Sequence, residues 1–117
     1  MLSRIARDHG RLDILVDNAG VAILLPIQEM TLAHYERQMS INLTSAFLGM
    51  RLGGVLMRRT GHGRSIINIS SVGGIVGLPR THAYGARKAA MRVFGKGLAI
   101  ETAKDNIRVH PGSIRTA

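Results

Sequence analysis

The stretch SIINISSVGGIVGLPRTHAYGARK, residues 65–88, decides the fold. Ser65 to Ile69 is an apolar run without clean alternation, which reads as a strand covered on both faces. Two hydroxyls, Ser70 and Ser71, close it. An irregular, glycine-rich loop (Gly73 to Gly77 at its centre) runs on to Pro79, and a helix is expected from Thr81 or His82 to Ala103. Tyr84 and Lys88 stand four residues apart, on one face of that helix. A cation beside a phenol favours its ionised form, so the pair can exchange a proton with a substrate oxygen. Taken alone, such a pair is an ordinary surface feature. Its neighbours give it weight.

Working outward, residues 2–9 read as a helix stopped by Gly10, and residues 12–17 as a short, mostly apolar strand. Asn18-Ala19-Gly20 follows at once, where open α/β sheets place ligand contacts. Asn18 could equally tie the turn by local hydrogen bonds. Val21 to Leu25 reads as loop. Thr31 is a candidate cap for a helix carrying Leu32, Tyr35 and Met39, although Pro26 with Glu29 allows an earlier start. The apolar pattern continues through Leu43, Phe47, Leu48, Leu52, Val55 and Leu56, with an interruption near Ser40-Ile41-Asn42. Gly49, Gly53 and Gly54 weaken that helix by about 1 kcal/mol each and suit close packing on a neighbour. Asn42 lies within the apolar pattern and needs hydrogen-bond partners. Residues 60–63 read as a turn. On the last helix the inward stripe is expected to be Ala90, Val93, Phe94 and Gly97, with Ile100 near its end. Ile107 to Val109 is a third, very short strand, and Pro111-Gly112 follows. The order of elements predicts an α/β fold: a partial Rossmann-like domain over residues 1–117, with a parallel three-stranded sheet flanked by helices.

The 117 residues suffice for one domain. The absence of cysteine excludes disulfides and thiolate metal sites, and no metal ligand set is expected. No apolar run is long enough to span a membrane. Met1 to Arg11 does not read as a secretory signal, so a cytoplasmic location is the default expectation. The net charge of +9 permits attraction to anions without choosing among them. Its basic residues are dispersed apart from Arg58, Arg59, His62 and Arg64, and only four aromatics are present. No base-stacking platform is evident, and nucleic-acid binding is not expected.

The motifs together resemble the middle and late part of a classical short-chain dehydrogenase/reductase. LDILVDNAG (Leu12 to Gly20) resembles the family's fourth strand and its Asn-Asn-Ala-Gly motif, with Asp17 at the first Asn position. INLTSAF (Ile41 to Phe47) resembles the helix bearing a catalytic Asn, here Asn42. IINISS resembles the fifth strand with its catalytic Ser, and the family's separation of Ser from Tyr points to Ser71 rather than Ser70. YGARK matches Tyr-x-x-x-Lys. His110-Pro111-Gly112 and Thr116 resemble the loop that meets the nicotinamide end of the cofactor.

That resemblance implies an NAD- or NADP-dependent oxidoreductase acting on a small-molecule alcohol or ketone, with hydroxysteroid and secondary-alcohol members the most similar in style. It implies that Tyr84 is the general acid in reduction and the base in oxidation. Ser71 would hold the substrate oxygen, Lys88 would assist Tyr84 and bind the ribose, and Asn42 would hold a proton-relaying water. Asn18, Ala19 and Gly20 would line the adenosine side, with Tyr84 and Lys88 at the ribose, while Pro111, Gly112, the Ile114 backbone and Thr116 would meet the carboxamide. The helices resembling residues 30–58 and 81–103 form a four-helix dimer interface in the family, so a homo-oligomer is implied.

Three departures qualify the match. No glycine-rich phosphate fingerprint precedes Leu12, and the family's first three strands and its substrate lid have no counterpart in these residues. The chain passes from Ile107-Arg108-Val109 directly to His110-Pro111-Gly112, about three residues short of the family pattern. That removes roughly 10 Å of strand and leaves the third strand and the following loop poorly specified. Asp17 adds a charge at a neutral site. The 117 residues alone are therefore expected to be inactive, and a non-catalytic module that pairs with itself or another chain is the alternative reading.

Overall fold

A computed structural model describes residues 1–60 and 64–114. Helix α1 (Leu2–His9) ends at Gly10, whose left-handed φ of 70° lets its N–H reach the Ala6 carbonyl. Strand β1 (Ile14–Asp17) follows. Helix α2 (Leu32–Met39) starts at Thr31, whose hydroxyl accepts from the His34 N–H while His34 Nδ1 accepts from the Thr31 N–H. A π-helical turn, Ser40–Thr44, joins α2 to α3 (Ser45–Thr60) at the interruption expected from the sequence. Strand β2 (Arg64–Ser71) leads through a single 3-10 turn (Val72–Gly74) to helix α4 (His82–Thr102) and strand β3 (Ile107–Ile114).

The sheet is parallel throughout, in the order β1-β2-β3. Leu12, Met50, Leu56, Met57, Ile66, Ile107 and Val109 form the core between one sheet face and the helices. Burial along β2 alternates strictly, with Arg64, Ile66, Asn68 and Ser70 buried and the residues between them half-buried. The covering of both faces expected from the apolar run is thus complete on one face only. Ile14 and Val16, on the other face of β1, are 62% and 51% exposed. Two glycines of α3 do allow close packing on β1. A Cβ at Gly53 would stand 2.7 Å from Leu15 Cδ2, and one at Gly49 would stand 2.7 Å from Asp17 Oδ1.

Two expectations are corrected. The stripe expected to face inward on α4 turns outward: Val93 is 71% and Ile100 81% exposed. The buried face instead carries Ala83, Gly85, Arg87, Lys88, Met91 and Gly95. Both faces of α4 are apolar enough to be inward by periodicity, and the outer one packs laterally on α3, where the Phe47 and Phe94 rings lie 6.0 Å apart. The third strand is also not three residues long. It pairs with β2 in unbroken register from Arg64↔Ile107 to Ser71↔Ile114, so Pro111 and Gly112 lie opposite Asn68 and Ile69 within the sheet. Pro111 is tolerated because β3 is an edge strand of the described sheet.

Ile66, fully buried, should lose about 3 kcal/mol of stability on Ile66→Ala, whereas Ile14→Ala should change it by about 0.5 kcal/mol or less. Denaturant unfolding checks this; equal losses would contradict the core described here.

Candidate functional site

Strand β1 ends opposite Asn68, while β2 continues to Ser71. The cavity beyond the end of β1 has a volume of about 390 Å³. It is lined by Asn18, Gly20, Ser70, Ser71, Tyr84 and Lys88, together with Arg87 and neighbouring apolar residues. Five of the residues singled out from the sequence therefore meet at one place. Ala19 is exposed in the same turn and does not line the cavity. Pro111, Gly112 and Ile114 are in β3, and Thr116 lies outside the described residues.

Lys88 is buried, and its Nζ donates to the Ile69 carbonyl at 2.7 Å. It lies 5.8 Å from the Tyr84 ring centroid. Burial, and secondarily the Arg87 charge, push the Lys88 ammonium down to about 8. Ser71 Oγ accepts from the Gly73 N–H at 3.3 Å, which orients the hydroxyl and leaves its proton free. The point where a Gly73 Cβ would stand is 3.8 Å from both Ser71 Oγ and the edge of the Tyr84 ring. Close approach here depends on missing side chains. A Cβ on Gly85 would stand 2.6 Å from the Gly73 carbonyl oxygen, and one on Gly74 would stand 2.8 Å from Lys88 Cβ. These glycines let the loop lie directly on the α4 turn that carries Tyr84 and Lys88.

Asn42 is fully buried in the π-helical turn. Its Oδ1 accepts from the Val21 N–H at 2.7 Å and its Nδ2 donates to the Val21 carbonyl at 2.6 Å. The side-chain amide is thus occupied in fixing the loop after β1. Its backbone carbonyl accepts from Ser45 Oγ at 3.3 Å.

Two further residues shape the site and were not singled out from the sequence. Gln38, four residues before Asn42 and also fully buried, accepts from the Ile23 N–H at 2.6 Å. A polar i,i+4 pair on an otherwise apolar helical face was the available signal. Arg87, buried beside Lys88, has its guanidinium carbon 4.9 Å from the Tyr84 ring centroid. Its position inside the Tyr-x-x-x-Lys spacing was the signal there.

A larger hollow, about 750 Å³, lies between the outer faces of α3 and α4 and contains none of the expected site residues. Among the described residues no group of His, Asp or Glu could hold a metal, and no helix is long and apolar enough to cross a membrane.

With this geometry in view, the relatives of the chain are informative. A model of the short chain dehydrogenase family matches residues 1–117, and the chain belongs to that family. It is 44% identical over 115 residues to a cyclopentanol dehydrogenase of Comamonas testosteroni, covering 96% of this chain and 46% of the relative. It is 41% identical over 112 residues to an NADP-dependent (R)-specific alcohol dehydrogenase of Lentilactobacillus kefiri, covering 92% and 44%. It is likewise 41% identical over 110 residues to a 3-alpha-(or 20-beta)-hydroxysteroid dehydrogenase of Mycobacterium tuberculosis, covering 92% and 42%. The chain thus spans less than half the length of these curated relatives.

Asp17 carries the one acidic change in the matched motif. Its Oδ2 is buried without a partner, and burial raises the carboxyl from 3.8 to about 6. A raised acid favours the folded state below about pH 4, and that contribution is lost as pH climbs through about 6. Asp17→Asn should therefore raise the unfolding midpoint at about pH 8 and leave it unchanged at about pH 4. The gain, discounted for partial exposure, is about 1 kcal/mol, roughly 5 °C. An equal shift at both pH values in thermal unfolding would contradict this.

Proposed function

We propose that the protein carrying these residues is an NAD(P)-dependent oxidoreductase that interconverts a secondary alcohol and a ketone by hydride transfer. The observation that carries this reading is the convergence of Ser71, Tyr84 and Lys88 on one cavity at the open end of β2. The polar groups there fit the ribose and nicotinamide end of a dinucleotide. Lys88 offers its ammonium, and Ser70 Oγ and Arg87 Nε are buried without partners. When bound, that cofactor accepts or supplies the hydride. Asn18 and Gly20, with Ala19 in the same turn, would line its adenosine side, and Tyr84 and Lys88 would hold the nicotinamide ribose. Pro111, Gly112 and Ile114 would approach from the end of β3, and Thr116 belongs to the same proposal.

The protein's own groups move the proton. As a carbonyl is reduced its oxygen gains negative charge. Tyr84 Oη donates the proton to it, while Ser71, whose own proton is free, donates a hydrogen bond. Oxidation of an alcohol reverses both transfers. The Lys88 charge stabilises the negative charge left on the phenol oxygen. A water on the Asn42 backbone carbonyl would resupply the proton through Lys88. The names of the relatives support an alicyclic or hydroxysteroid-like alcohol as substrate. This activity is that of the whole protein. The 117 residues contain no G-x-x-x-G-x-G turn for the cofactor's phosphates and are expected to turn nothing over by themselves.

Steady-state oxidation of cyclopentanol and a 3-hydroxysteroid by the whole protein, with each nicotinamide cofactor, tests the reading. Tyr84→Phe should lower kcat about 1,000-fold with little change in cofactor affinity. Lys88→Met should weaken both. Full kcat in Tyr84→Phe would contradict the proposal and favour a non-catalytic module.

A second copy of the chain is proposed to cover the outer faces of α3 and α4. Phe47, Val55, Val93 and Phe94 are exposed there around the larger hollow, rimmed by Arg51 and Glu101. Phe94→Asp should convert a dimer to a monomer in sedimentation; a monomeric wild type at high concentration would contradict this.

A further inference from the structure

Arg87 stands out among the residues of the cavity. It is only 3% exposed, and its Nε has no partner. The acceptor available to its Nη1 is the Met91 thioether at 3.8 Å, a weak one. The residues lining the cavity include two cations, Arg87 and Lys88, and no acid. Asp17 is not among the residues lining the cavity. The Tyr84 ring, 4.9 Å from the guanidinium carbon, offsets part of the cost, but burial still pushes Arg87 down from its usual range. A guanidinium kept dry, beside an ammonium and without a carboxylate, is costly unless an anion completes it.

The geometry points to Arg87 as an oxyanion-binding residue of the site, holding a phosphate group against the Asn18–Gly20 loop. This rests on reading the cavity as a nucleotide site. The side chain is directed to that loop. Arg87 Nη2 lies 3.0 Å, and Asn42 Oδ1 2.7 Å, from the point where a Gly20 Cβ would stand, so any side chain at residue 20 would close the approach. Ser71 Oγ lies beside Gly73, whose Cβ position would be 3.8 Å from the Cδ1–Cε1 edge of the Tyr84 ring, whereas the Arg87 guanidinium lies over that ring. A guanidinium presents a planar fork that matches phosphate or carboxylate in two hydrogen bonds, and Lys88 adds a point charge. Phosphate is favoured over a substrate carboxylate because the Asn18–Gly20 loop follows the carboxyl end of β1, where open α/β sheets receive nucleotides.

Titration calorimetry on the whole protein at fixed ionic strength tests this without turnover, using inorganic pyrophosphate and 3-hydroxybutyrate as probes. Pyrophosphate should bind the wild type. Its affinity should fall about tenfold in Arg87→Met, and less in Arg87→Lys, which keeps the charge and loses the fork. Arg80→Met, at an exposed position, should leave binding unchanged. Circular dichroism reports whether each variant folds. If Arg87→Met does not, a weakening of about threefold or more in Arg87→Lys supports the assignment, and unchanged affinity overturns it. No pyrophosphate binding by the wild type, or equal binding by wild type and Arg87→Met, overturns it as well. Binding of 3-hydroxybutyrate alone, lost in Arg87→Met, overturns the phosphate assignment in favour of a substrate carboxylate. The Tyr84→Phe turnover measurement is independent of these outcomes, so the oxidoreductase reading stands or falls separately.

Discussion

Lys88 Nζ donates to the Ile69 carbonyl over 2.7 Å, and the geometry of the site hangs on that bond. It ties α4 to the part of β2 that projects beyond β1, so Tyr84, one turn earlier, is fixed over the same cavity. The bond is possible because the intervening loop takes almost no room: Gly73 and Gly74 lie close on α4, and the missing Cβ of Gly85 leaves space for the Gly73 carbonyl. A buried ammonium needs such an acceptor, and a carbonyl near the end of a strand needs such a donor. The placement of Tyr84 over the cavity and backbone satisfaction are therefore met by one contact.

The opposite wall of the cavity is held by side chains acting on backbone. Asn42 and Gln38 between them engage the N–H and carbonyl of Val21 and the N–H of Ile23. The π-helical turn makes this possible. By adding a residue between α2 and α3 it changes the direction of Asn42 without ending the helical path. Polar groups buried beside this wall are not all satisfied: Asp17 Oδ2 and Asn68 Oδ1, neighbours in register on β1 and β2, are both acceptors without a donor. That conflict is local to the motif position where an acid stands in place of an amide.

Much of this was legible from residues 65–88. Strand, loop and helix followed from an apolar run, a glycine cluster and a 3.6-residue period. Spacing alone put Tyr84 and Lys88 on one face. The interruption at Ser40–Asn42 and the cap at Thr31 were equally visible. Periodicity could not say which apolar face of α4 meets the sheet, because Met91 and Val93 are alike in hydrophobicity and opposite in burial. Nor could it extend β3, since Pro111 and Gly112 read as breakers until an eight-residue partner strand recruits them at an edge. Arg87 and Gln38 were hidden for a similar reason. Charged and amide side chains on a helix are assigned to solvent by default, and only tertiary contact reveals them as buried.

The central claim is that Tyr84 and Ser71 act together on one substrate oxygen. A crystal structure of the whole protein with a nicotinamide dinucleotide and a secondary alcohol measures this most directly. The alcohol oxygen should lie about 3 Å from both Tyr84 Oη and Ser71 Oγ, with Lys88 at the ribose. An alcohol bound away from these two hydroxyls, or a dinucleotide bound without contact to Lys88, would contradict it.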